Sequence, residues 1–86
     1  MPEISRFYGI VIKMYYNDHP PPHFHVEYAG HELVVGIAPV QVLAGDAPPR
    51  VRSMVTEWAA LHQQELNENW ERCRAAQPAE RIEPLE

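Results

Sequence analysis

The stretch that most limits how this chain can fold is NDHPPPHFHVEY, residues 17–28. Pro20, Pro21 and Pro22 fix φ and carry no backbone N–H, so neither a helix nor a central strand can run through them. They favour a stiff polyproline segment that orders the residues after it. Those residues alternate with a period of two: Phe24, Val26 and Tyr28 on one side, His23, His25 and Glu27 on the other. That pattern predicts a strand with one buried and one open face. Residues two apart on a face lie about 6.5–7 Å from each other. His23 and His25 can therefore share one ion or one phosphate, with Glu27 orienting a ring.

His19, His23 and His25 are three of the five histidines of the chain. The His-x-His spacing suits metal ligation but needs a third donor, and Asp18, His19 or His31 can supply it if the turn folds back over the open face. His19, His23 and His25 form the candidate ligand set, for a divalent transition metal such as zinc. The same rings can work as general acid and base or hold an anion. A solvated strand face behind a proline loop is the third reading, and the residues alone leave all three open.

Around this stretch the chain reads as α+β. FYGIVIKMYY, residues 7–16, is rich in branched and aromatic side chains and predicts a first strand. Tyr8, Ile10, Ile12 and Met14 share its core side. The other side, with Phe7, Gly9, Val11, Lys13 and Tyr15, is too apolar for open solvent, so the C-terminal tail or a second chain should cover it. Asn17 and Asp18 end that strand with turn chemistry. A strand at 23–29 and one at 32–37, joined through Ala29, Gly30 and His31, complete an antiparallel meander. Pro39 interrupts it and leaves at most a short edge strand at 40–43, which makes three or four strands in all.

Ala44, Gly45 and Asp46 read as the turn into a single long helix over residues 49–75, begun by Pro48 or Pro49 without a side-chain cap. Such a helix is about 38 Å long. Its apolar residues form two seams, Val51, Met54, Val55, Trp58 and Leu61, then Ala59, Leu66, Trp70 and Cys73, displaced around the axis by roughly 90°. One small sheet cannot cover that length, so the helix should bend near residues 62–64 or pack its second half on another chain. His62, between the seams, reads as a partly buried structural residue. Arg50 and Arg52 read as a solvated pair rather than an anion-binding corner. Glu68 and Arg72 are spaced as an ion pair. In the tail, 76–86, Ile82 and Leu85 are placed to dock over Phe7 and Val11.

Composition narrows the function classes. Eighty-six residues make a single domain, 1–86. A net charge of -5 argues against non-specific nucleic-acid binding, which depends on neutralising phosphates. The lone Cys73 excludes an internal disulfide, and neither a signal peptide nor an apolar run of about 20 residues is visible. The expectation is a cytoplasmic protein with no membrane association.

With RFYG at 6–9, NDHPPPHFHVEY at 17–28, EW at 57–58, ENW at 68–70 and the closing RIEPLE, the chain resembles the bacterial domain-of-unknown-function 4160 family over essentially its whole length. The resemblance carries Arg6, Tyr8, Asn17, Asp18, His19, Pro22, His23, His25, Glu27 and Tyr28 over as a motif cluster, without roles. It implies a small cytoplasmic protein encoded beside a domain-of-unknown-function 2442 protein, in an arrangement similar to a toxin-antitoxin pair. Three functions stand as expectations. The first is a component of such a two-gene module, binding that neighbour or a second copy of itself through Phe7, Val11, Trp70 and the tail. The second is a metal-binding protein using His19, His23 and His25. The third is a ribonuclease-like toxin with His23 and His25 as acid and base, Arg6 on the phosphate, and Tyr8 or Tyr15 orienting substrate.

Overall fold

A computed structural model describes residues 3–86. The architecture is α+β: five antiparallel strands in the order β1-β2-β3-β4-β5, with two consecutive helices packed on one face. The strands are β1 (Glu3–Phe7), β2 (Ile10–Lys13), β3 (His23–Tyr28), β4 (His31–Ile37) and β5 (Val40–Asp46). The helices are α1 (Pro49–Leu61) and α2 (Gln63–Arg74).

The expected strand at 7–16 is in fact the end of one strand, a turn, and a second strand. Tyr8 and Gly9 take φ of 51° and 79° and reverse the chain, so that Phe7 pairs with Ile10 and Arg6 with Val11. Positive φ at both central residues is the backbone of a type I′ hairpin, which glycine adopts without steric cost. Ala29 and Gly30, at 45° and 83°, repeat the device between β3 and β4. The correction moves Tyr8 from the core to the turn, where it is 59 % exposed, and brings Phe7 inside.

β5 is also longer than the short strand expected at 40–43, and it absorbs Ala44, Gly45 and Asp46, which read as a turn in the sequence. It pairs with β4 across a bulge: Val34 faces Ala44 and Val35 faces Val42, so Leu43 is the extra residue. Gly45 comes next but one at φ 87°, close against the backbone of Glu32 and Leu33. A bulge plus a left-handed glycine lets a turn-like sequence stay in the ladder.

The two apolar seams explain the helices. The sequence allows a single helix over 49–75, whereas the chain breaks at His62 (φ -120°, ψ 26°), and each half turns its own stripe to the sheet. Val51, Val55, Trp58 and Ala59 are buried from α1, and Leu66, Asn69, Trp70 and Cys73 from α2. At the joint the Gln63 side-chain amide donates to the Ile37 carbonyl (2.6 Å), and the His62 Nδ1 lies 2.6 Å from Glu65 Oε1. α1 begins at Pro49 after an uncapped Pro48, as the two prolines dictate.

Trp58 centres the core, with Phe7 and Phe24 rings at 5.5 and 5.8 Å. Its indole N–H donates to the Glu83 carbonyl (2.8 Å), so the buried polar atom is satisfied by the tail. The tail is a strap rather than a loose end. The Ile82 N–H donates to the Ile4 carbonyl of β1 (2.8 Å), and the Asn69 amide binds the backbone of Glu80 in both directions at 2.8 Å. Ile82 is buried in the same core cluster as Ile4 and Phe7, and Arg72 engages Asn69 and Glu80 instead of the expected Glu68. No helix among the described residues is long and apolar enough to cross a membrane.

Candidate metal centre

β3 carries the histidines as its alternation requires. Phe24 and Val26 are buried on the helix side, while His25 and Glu27 lie half-buried on the other. His23, at the start of the strand, departs from the expected open face: it is only 8 % exposed, because the Trp70 indole of α2 packs against its ring at 5.2 Å. Tyr15 covers one side of His25 at 4.3 Å, and the two imidazoles meet edge-on at 5.1 Å.

The third member is Asp18. After Asn17, at φ 53°, the chain folds back over the strand, and the Asn17 N–H donates to the Cys73 carbonyl at the end of α2 (3.3 Å). This brings one carboxylate oxygen, Asp18 Oδ2, to 2.8 Å from His23 Nε2 and 2.9 Å from His25 Nε2. Asp18 Oδ1 accepts the His19 N–H (2.9 Å). Oδ2 and the two Nε2 atoms lie within 4.8 Å of one another, and these three residues are the metal-competent group among the described residues. Burial raises the Asp18 carboxyl pKa, but the hydrogen bonds from His25, from the His19 N–H and from His23 outweigh it and hold the group below its ordinary value. Asp18 is thus an anion at neutral pH.

The protons on His23 matter most. Its Nδ1 lies 2.7 Å from the Pro21 carbonyl oxygen, which can only accept, so Nδ1 carries the proton. Its Nε2 faces the anionic Asp18 oxygen at 2.8 Å, a contact closed either by a second ring proton, as in the hydrogen bond to Asp18 above, or by a metal ion in that proton's place. A ligating histidine whose other nitrogen donates to a backbone carbonyl is the usual second layer of a metal site. The present spacing is a few tenths of an ångström below the roughly 3.3 Å that separates tetrahedral ligands at about 2.0–2.1 Å from zinc. A small outward shift of the side chains would admit the ion.

The other site residues expected from sequence do not converge here. The His19 ring is not in the group; only its backbone touches Asp18. His31 pairs with Tyr28 at the far end of β3. Glu27 does not orient a ring but accepts from Lys13 Nζ (3.0 Å). Arg6 is tied to Glu3 (2.7 Å) on β1, two strands away, and Tyr8 sits in the turn near the Tyr28 end. That end holds an open groove of about 430 Å³ lined by Gly9, Glu27, Tyr28, His31 and Glu32, with neither His23 nor His25 in its lining. Phe7 and Trp70, expected at a partner surface, are 5 % and 2 % exposed and belong to the core. From sequence, Asp18 is only one of three options for the third donor. The Asp-x4-His-x-His spacing is visible there, whereas the roles of the Pro21 carbonyl and Trp70 depend on the loop and on α2.

Comparison with the curated proteins and with the solved structures gave no match. Residues 9–71, which include the whole Asp18, His23 and His25 group and most of the sheet and helices, match the family described as "Domain of unknown function (DUF4160)", and the chain belongs to that family.

Proposed function

We propose that the protein binds a divalent transition metal ion, of which zinc is the best fit, through Asp18 Oδ2, His23 Nε2 and His25 Nε2. The observation that carries this is the convergence of three ligand atoms within 4.8 Å of one another, with His23 Nδ1 held by the Pro21 carbonyl so that its Nε2 meets His25 Nε2 at one carboxylate oxygen. Two imidazoles and one carboxylate suit zinc and other first-row divalent ions, and are too nitrogen-rich for calcium or magnesium. This reading is preferred to a ribonuclease-like one because Arg6 and Tyr8, which would have to hold and orient a phosphate, stand apart from the two rings. A role in a two-gene module acting through a protein partner is compatible with it, the ion then serving as part of the working surface.

The test is equilibrium dialysis against zinc followed by elemental analysis. One equivalent should remain on the native chain, and His25→Ala should weaken binding by about 100-fold or more, since even outer-layer changes cost 10–100-fold. Equal zinc retention by the native chain and His25→Ala, or none by either, would overturn the proposal.

A further inference from the structure

Resting on that reading, we infer that the bound ion keeps a coordination position for a ligand from outside the chain, and that this ligand is a small carboxylate anion. Three donors come from the protein, and no fourth His, Cys, Asp or Glu donor joins them among the described residues. Zinc and its neighbours take at least four ligands, and sites that keep three protein donors hold water or an exogenous ligand in the remainder. The opening has a definite side. Trp70 backs His23 and Tyr15 backs His25, while the Asp18 and His25 side chains keep 21 % and 23 % of their surface in solvent. A ligand would enter from there.

Charge decides its sign. A divalent ion with one carboxylate and two neutral imidazoles leaves one net positive charge. Lys13 and Glu27, the nearest charged pair on β2 and β3, neutralise each other at 3.0 Å and do not change that sum. The two aromatic walls keep water from two sides and strengthen the attraction of the uncompensated charge for an anion. Lys13 itself is engaged with Glu27 and is not a second anchor.

Cobalt(II) in place of zinc makes the coordination visible in its absorption spectrum. The full chain, loaded with one equivalent of cobalt, should show visible bands that shift saturably as acetate is added. His19→Ala should leave both the starting spectrum and the acetate response unchanged, because the His19 ring is outside the group. Cobalt bound at one equivalent with a spectrum that acetate does not alter would overturn this inference and leave the metal-binding proposal standing. A starting spectrum altered by His19→Ala would overturn it too, because the histidine of the loop would then fill the position. Failure to bind cobalt or zinc at all would overturn the metal-binding proposal, and this inference with it.

Discussion

At the scale of single residues, Asp18 links two histidines of a strand to a loop that also reaches α2 through one backbone bond to Cys73. Its carboxyl is held below its ordinary value of 3.8. A depressed carboxyl stabilises the fold fully above its unfolded value and loses that contribution as pH falls through the folded one. In metal-free protein, Asp18→Asn should therefore cost about 1.5–3 kcal/mol at pH 7, the range for hydrogen bonds to a charged group. The gap between native and variant urea midpoints should narrow as pH is lowered past 3.8, and a gap that does not narrow below that value would contradict this role. The pairing of His23 and His25 is legible because a strand's period of two needs only local sequence. The burial of His23 is not, since Trp70, whose indole packs against the ring, lies far along the chain in α2.

At the scale of elements, the strands at 23–29 and 32–37 and the start of the helical region are legible, because alternation and prolines are strong there. The turn at Tyr8 and Gly9 is hidden, since an uninterrupted aromatic and aliphatic run masks one glycine. The end of β5 is hidden because Ala-Gly-Asp is ordinarily turn chemistry, and a bulge keeps it in the sheet. Gly45 is the sharpest test of that element. A Cβ there would run into the Glu32 carbonyl oxygen while the backbone is held at φ 87°. Gly45→Ala should lower stability by about 2–4 kcal/mol, as a combined clash and left-handed strain would. Gly30→Ala, where a Cβ meets nothing within 4 Å, should incur only the strain of its φ and cost less. Equal urea midpoints for the two variants would refute the bulge geometry. The displaced helix seams show from sequence that one straight helix cannot turn both stripes to one sheet, but they leave open whether it bends near residues 62–64 or packs its second half on another chain, and the single helix over 49–75 is in fact two.

At the scale of the whole molecule, the tail closes the core. Ile82 is 4 % exposed, and its neighbour Glu83 supplies the acceptor for the Trp58 indole. Ile82→Ala should cost about 2–5 kcal/mol, the range for truncating a buried isoleucine, read as a lower urea midpoint with unchanged slope. Acid should loosen the same strap. Hydrogen bonds from Arg6 and then Arg81 lower the Glu3 carboxyl from 4.5 to about 2, so its contribution is complete above 4.5 and disappears as pH falls toward 2. Amide exchange at Ile82, corrected for the intrinsic pH dependence of exchange, should accelerate over that interval. The acceleration should be larger at low salt than at high salt, because these exposed charges are screened.

The strap also treats the two margins of the sheet differently. β1 has its Glu3 and Ile4 carbonyls taken by Arg81 and Ile82, while β5 has no strand beyond it among the described residues and exposes Val42 and Leu43. Continuous stacking of identical sheets into a fibril needs two unoccupied margins per copy, one to receive and one to offer. With the start of β1 already held by the strap, a copy added at β5 would meet no equally open margin from which to continue.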